Sequence, residues 1–276
     1  MNLFINDIFD NIMPPSNTIF RMDGLKIPKN KDIYFMAKWH ELFEKYQTAR
    51  LFIEQTQKER FDDWIISPED NKNAEKYFTL YIKSILYEAA LINYNILVDL
   101  SWTLTYVSAE YSLYEFDSTG NVINVKDVSG LHTIEDAYQM LRDTEKAVTT
   151  PHTQGSPFTY LKKMCPEYTD AIDLIINFWR LFSNSQIRSL YNYTKHKGVL
   201  HYKELDSLSH KKVWKFYDYN NKTMPSDISD VQKQISLNES ITDLISFDDN
   251  ILFPYINELI KLLKEAVNPS PIISVC

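Results

Sequence analysis

The chain has 276 residues, 44% hydrophobic and 24% charged, with a net charge of −8, a composition that excludes a largely disordered polymer. Eighteen Tyr, 15 Phe and 5 Trp supply ample burial, while only 5 Gly stand where average usage would give roughly 19. That scarcity disfavours glycine-rich doubly wound and barrel folds, and the acidic balance disfavours binding through a general basic surface.

Residues 1–30, with Pro14, Pro15, Gly24 and Pro28, read as an irregular lead-in. The opening MNLFINDIFDNIM carries acids and no basic stretch, so no secretory signal is expected and the protein reads as cytoplasmic. From Lys31 to about Trp64, the apolar residues Phe35, Trp39, Leu42, Phe43, Tyr46, Ala49, Phe52 and Ile53 recur at helical spacing. A second long helix is predicted from about Asn73 to Tyr111. Its most apolar run, 85–107, contains Glu88, Asn93, Asn95 and Asp99, which a bilayer tolerates poorly, so it reads as a buried core helix with no membrane partner.

The turn-rich stretch 117–130 reads either as a small hairpin or as a disordered tip, and 133–147 as a helix capped by Thr133. Pro166 opens a further helix with Ala171, Leu174, Ile175, Phe178, Trp179 and Leu181 as its apolar positions, and 184–196 continues or restarts it up to Gly198. KKVWKFYDY (211–219) and SITDLISF (240–247) read as short strands, before a closing helix from about Asp249 to Val267 and an apolar tail. The expected fold is mainly α, an antiparallel helical bundle with long helices. It forms a single domain over 31–276, with a small β element near 210–247.

Familiar active-site signatures are missing. The glycines never cluster into a nucleotide loop, no H-E-x-x-H or G-x-S-x-G occurs, and no Glu is followed three residues later by His. Cys165 and Cys276 give neither a disulfide framework nor metal-ligand spacing, so no metal and no cofactor are expected.

One stretch does carry chemistry: RSLYNYTKHKGVLHY, 188–202. Arg188, Asn192 and His196 are four apart and stack on one helical face, with Lys195 beside them. Arg is a permanent cation with a planar donor fork, His moves a proton near neutral pH, and Asn orients a hydroxyl or an imidazole. Such a set suits holding a phosphate and moving a proton beside it. Between Gln186 and Lys215 stand seven Lys or Arg against two acids, Glu204 and Asp206. Lys195 and Lys197 are candidate phosphate contacts, and Tyr191 and Tyr202 candidate platforms for bases. A simpler reading is that Lys195, His196 and Lys197 complement the dipole at a helix C-terminus. On the second long helix Glu88, Asn95 and Asp99 form a polar stripe at i, i+7 and i+11, with Arg188 as its natural cationic partner.

The helical organisation and the Arg188, Asn192, Lys195, His196 run near a helix end resemble the HEPN-like superfamily of helical bundles, many from bacterial toxin and abortive-infection systems. In that family Arg is followed after four to six residues by His, with a polar residue after the Arg; here Ser189 takes that place and seven residues separate Arg188 from His196. The resemblance implies a metal-independent endoribonuclease or an RNA- or nucleotide-binding protein, working as a homodimer that brings two such motifs together, in phage defence. The competing expectation is a non-enzymatic helical module that binds a protein partner.

Overall fold

A computed structural model of the chain describes residues 30–61, 72–109, 114–117, 122–125, 139, 157–208, 213–217, 223–227 and 232–266. In chain order the elements are α1 Asn30–Gln55, α2 Lys72–Ser108, β1 Tyr114–Phe116, β2 Val122–Val125, α3 Pro157–Met164, α4 Thr169–Phe182, α5 Gln186–His196, β3 His201–Tyr202, α6 Lys203–Asp206, β4 Val213–Tyr217, β5 Thr223–Asp227, β6 Gln234–Ile235, α7 Leu237–Phe247 and α8 Phe253–Ala266. The protein is mainly α. No helix among the described residues is long and apolar enough to cross a membrane. The lead-in, the helix expected at 133–147 (Gln139 apart) and the apolar tail lie outside the described residues.

Local chemistry sets the boundaries. α1 stops at Gln55, well before Trp64, because Thr56 turns its hydroxyl back onto the Ile53 carbonyl at 2.6 Å while its amide and that of Gln57 make tight i to i+3 bonds. After α2, β1 and β2 pair antiparallel, Glu115 faces Asn124, and the Asn124 amide donates to the Glu115 carboxylate at 3.1 Å; residues 118–121 and 126–130 of the turn-rich stretch lie outside the described residues. The 211–219 strand is present as β4, antiparallel to β5 with Val213 opposite Asp227 and Tyr217 opposite Thr223.

SITDLISF is not a strand. It belongs to α7, and the β structure of this region ends at Ile235. The start signal is S-L-N-E: Ser236 is the N-cap and accepts from the Glu239 amide at 3.3 Å, as in a capping box. Leu237, Ile241 and Leu244 then recur at helical spacing and are buried, which outweighs the β-branched and aromatic content that read as a strand.

Contacts gather the chain into two compact units, through both of which α1 and α2 run. The first holds Thr48–Ile92 and Ser185–Asp248. Its core takes Ala49 and Ile53 from α1, Leu86, Tyr87, Ala90 and Leu91 from α2, Ile187 and Leu190 from α5, and the apolar face of α7. Inside it Arg50 is 6% exposed, its Nε donating to Glu54 at 2.6 Å and its Nη1 to the fully buried Asp248 at 2.7 Å. Two carboxylates on one guanidinium in a dry interior stand only because each charge has a short, directed partner.

The second unit holds Asn17–Gln47, Asn93–Asn184 and the chain from Asp249 on. Its core is aromatic: the rings of Phe178 and Tyr255 stack at 3.8 Å between centroids, Trp102 meets Trp179 edge to face at 5.1 Å, and Tyr106 lies against Phe158 at 4.6 Å. The Tyr255 hydroxyl sits 2.8 Å from Ser101 Oγ, and burial pushes its pKa up. α4 buries Ala171, Ile175, Phe178 and Trp179 as expected, but Leu181 is 66% exposed and Ile172 and Phe182 complete the apolar face instead.

Removing the Arg50 guanidinium strands Asp248 in the core. Arg50→Ala is expected to lower unfolding stability by about 3–5 kcal/mol, read by urea denaturation, and a loss below about 1 kcal/mol contradicts a closed buried charge cluster.

Candidate functional site

α5 is a new helix and not a continuation of α4. The Asn184 side-chain amide caps the Arg180 carbonyl at 3.1 Å, and Ser185 starts α5 as its N-cap, its Oγ accepting from the Arg188 amide at 3.1 Å. The helix buries Ile187 and Leu190, which fixes the direction of the opposite face. Arg188 and Tyr191 are half-buried there, and Asn192, Lys195 and His196 are exposed. The Arg188 guanidinium carbon lies 5.2 Å from the Tyr191 ring centroid and Lys195 Nζ lies 5.8 Å from it, so both cations lean on one ring. No carboxylate occurs in α5.

The helix closes at Lys197, the C-cap. The amides of Lys197 and Gly198 both donate to the Tyr193 carbonyl, at 2.8 and 3.2 Å, and Gly198 has φ +156°. The glycine supplies a backbone conformation that other residues adopt only under strain. Lys197 is exposed just beyond the last helical turn.

The remaining sequence candidates are placed differently. Tyr202 is 4% exposed and has no open face for a base; its ring meets Tyr87 edge to face and its hydroxyl donates to Glu88 Oε1 at 2.8 Å. Burial, with the Glu88 carboxylate adding to it, raises the Tyr202 pKa far out of the working range. Glu88 therefore pairs with Tyr202 and not with Arg188, as the polar stripe had suggested. Asn95 is fully buried and Asp99 half-buried, and both belong to the other unit.

A residue that sequence reasoning missed organises the surroundings of the site. Glu204, in α6, places its carboxylate at the N-terminus of α7: Oε2 accepts from the Leu237 amide at 2.9 Å, and Oε1 from the Asn238 amide at 3.2 Å and the Ser236 hydroxyl at 2.8 Å. Burial alone would raise its pKa, but these donors together with the rest of its hydrogen bonds outweigh burial and hold it below the ordinary carboxylate value. Beside it β3 and β6 pair in parallel, His201 with Gln234 and Tyr202 with Ile235, and the Gln234 amide donates to Asp206 at 3.0 Å. The capping signal at Ser236 was visible in the sequence; the acceptor 32 residues upstream carried no local signal.

Among the described residues no group of three or more His, Cys, Asp or Glu is placed to hold a metal ion. Comparison with protein-family models, with curated proteins and with solved structures finds no match to the chain.

Two measurements check this geometry. Tyr202→Phe removes one hydrogen bond to a carboxylate and keeps the ring, so stability should fall by about 1.5–3 kcal/mol, whereas no change in urea denaturation means that the bond is not made in solution. The Glu204 carboxylate has a depressed folded pKa, so its contribution is complete above the ordinary Glu value of about 4.3 and is lost as pH falls through the lower folded value. Wild type should exceed Glu204→Gln by about 0.5–2 kcal/mol at pH 7, and the gap should close well below pH 4. A pH-independent gap contradicts the assignment.

Proposed function

We propose that the protein binds single-stranded RNA through the outward face of α5, with Arg188, Lys195 and Lys197 on phosphates and Asn192 and His196 beside them. The observation that carries this reading is the convergence of Arg188 and Lys195 on the Tyr191 ring, on a helix without a single acid, in a chain of net charge −8. An aromatic ring under two cations restrains them and keeps their charge at the surface, which favours a polyanion over a neutral ligand. Because the ring already serves its own cations, contacts to the backbone of the RNA should outweigh stacking on bases, giving binding with little sequence preference.

The reading places the protein with the HEPN-like proteins it resembles, in the cytoplasm and in a phage-defence setting. Cleavage is a further step. Arg188 and His196 are eight positions apart, about 12 Å along the axis, a wide spacing for two groups that must meet at one phosphate. A metal-independent cleavage reaction on these residues is therefore better served by a homodimer in which Arg188 of one copy meets His196 of the other. There His196 would take the proton of the 2′-hydroxyl as its oxygen attacks phosphorus, Arg188 would hold the phosphate, and the P–O5′ bond would break to leave a 2′,3′-cyclic phosphate and a 5′-hydroxyl protonated from solvent.

A second reading, a non-enzymatic protein-interaction module, rests on a different surface. Phe78, Tyr81, Ile85 and Ile92 are 42%, 48%, 51% and 38% exposed and fall on one side of α2, an apolar stripe larger than scattered surface residues require.

Fluorescence anisotropy with a labelled single-stranded RNA decides the first reading. Lys195→Ala with Lys197→Ala should lower the slope of log affinity against log salt by about 1.4, the value for two phosphate contacts on a single strand. No binding by wild type at low salt overturns the RNA reading and leaves the module.

A further inference from the structure

We infer that the phosphate-binding surface does not end with α5 but continues across the β3–β6 pair, where Lys203 and Lys233 carry the next contacts of an extended single strand. The inference rests on the RNA-binding reading and goes beyond it by naming a second part of the site and the length of strand it takes.

The backbone makes the connection. Three residues lie between Lys197 and His201, a reach of at most about 14 Å over four Cα steps. His201 then enters β3, and its amide donates to the Lys233 carbonyl at 3.0 Å. A residue 32 positions away in sequence is thereby held at the edge of the α5 exit. The alternation of the strands fixes what faces outward: Tyr202 and Ile235 are buried side by side, so their neighbours His201 and Gln234 share the opposite face. Lys203 follows β3 and Lys233 precedes β6, and both are exposed, as are Lys195, Lys197 and Val199 along the approach.

Of the two acids of the same segment, Glu204 is turned into the start of α7, while Asp206 lies on the Gln234 side of the strand pair. Glu204 spends its oxygens on the Ser236 hydroxyl and the Leu237 and Asn238 amides, and Asp206 accepts from Gln234. The Glu204 charge is matched by those donors at a helix N-terminus, while Lys195, Lys197, Lys203 and Lys233 are exposed. Glu239, exposed in the first turn of α7, bounds the strip in chain order. Among the described side chains from Arg188 to Lys233 the strip offers five cations, Arg188, Lys195, Lys197, Lys203 and Lys233. If each meets a phosphate, the salt slope on a single strand is about −3.5.

The test uses the full chain, anisotropy titrations over a range of salt, and two poly-uridine probes of about four and about twelve nucleotides, which bracket common single-strand site sizes. Lys203→Ala with Lys233→Ala should lower the salt slope by about 1.4 on the longer probe and leave the shorter one, which α5 alone can hold, nearly unaffected. If the longer probe binds this variant with wild-type affinity and slope while Lys195→Ala with Lys197→Ala weakens it, the extension is wrong and the α5 reading stands. If wild type binds neither probe at low salt, both fall. Both lysines are exposed, and an unchanged thermal midpoint confirms that the variant is folded.

Discussion

A carboxylate at the end of a helix holds the first unit in order. Glu204 satisfies two of the amides that α7 leaves open at its N-terminus, and Ser236 bridges the same group to the capping of Glu239. That contact pins α6 to the start of α7 and so closes the excursion that carries β4 and β5. With the two ends held, β3 and β6 lie in register, Tyr202 turns inward, and its hydroxyl reaches Glu88 on α2. Lys197, Lys203 and Lys233 are then left on the outside. Their exposure follows from where the acids are spent, a positional effect that net charge does not report.

The second unit works on another principle. Its core rests on packed aromatic rings, with a local hydroxyl pair among them: Ser101 gives its proton to the Val98 carbonyl at 2.6 Å, which leaves the Tyr255 hydroxyl to donate to Ser101. A five-residue π-helical turn, Asp248–Leu252, links α7 to α8, and its first residue is the buried partner of Arg50. The first unit joins segments far apart in sequence by charge and capping, and the second packs rings. The candidate chemistry lies wholly in the first.

The helical character was legible because apolar residues recur at 3.6 spacing over long stretches; Trp39, Leu42, Tyr46, Ala49 and Ile53 are all buried as their spacing implied. The exposed run Asn192, Lys195 and His196 was legible for the same reason, since Ile187 and Leu190 fix the inward face. Short elements were not. Eight residues of α7 pass for a strand when its S-x-x-E start is overlooked, and Leu181 looks buried until Phe182 takes its place. Tyr202 read as a base platform because a tyrosine beside lysines has the same sequence signature whether its ring faces in or out. The pairs that decided these cases, Tyr202 with Glu88 and Glu204 with Leu237, span 114 and 33 residues, and a single sequence without covariation holds no trace of either.

The central claim is that RNA meets this protein on α5 and its exit. Photocrosslinking of a thiouridine-labelled single strand to the full chain, followed by peptide mapping, tests it most directly. The account predicts crosslinks within 186–203 and at the segment around Lys233, and their loss together as salt rises. Crosslinks concentrated on the Phe78, Tyr81, Ile85 face of α2 or on the second unit, with 186–203 unlabelled, contradict it.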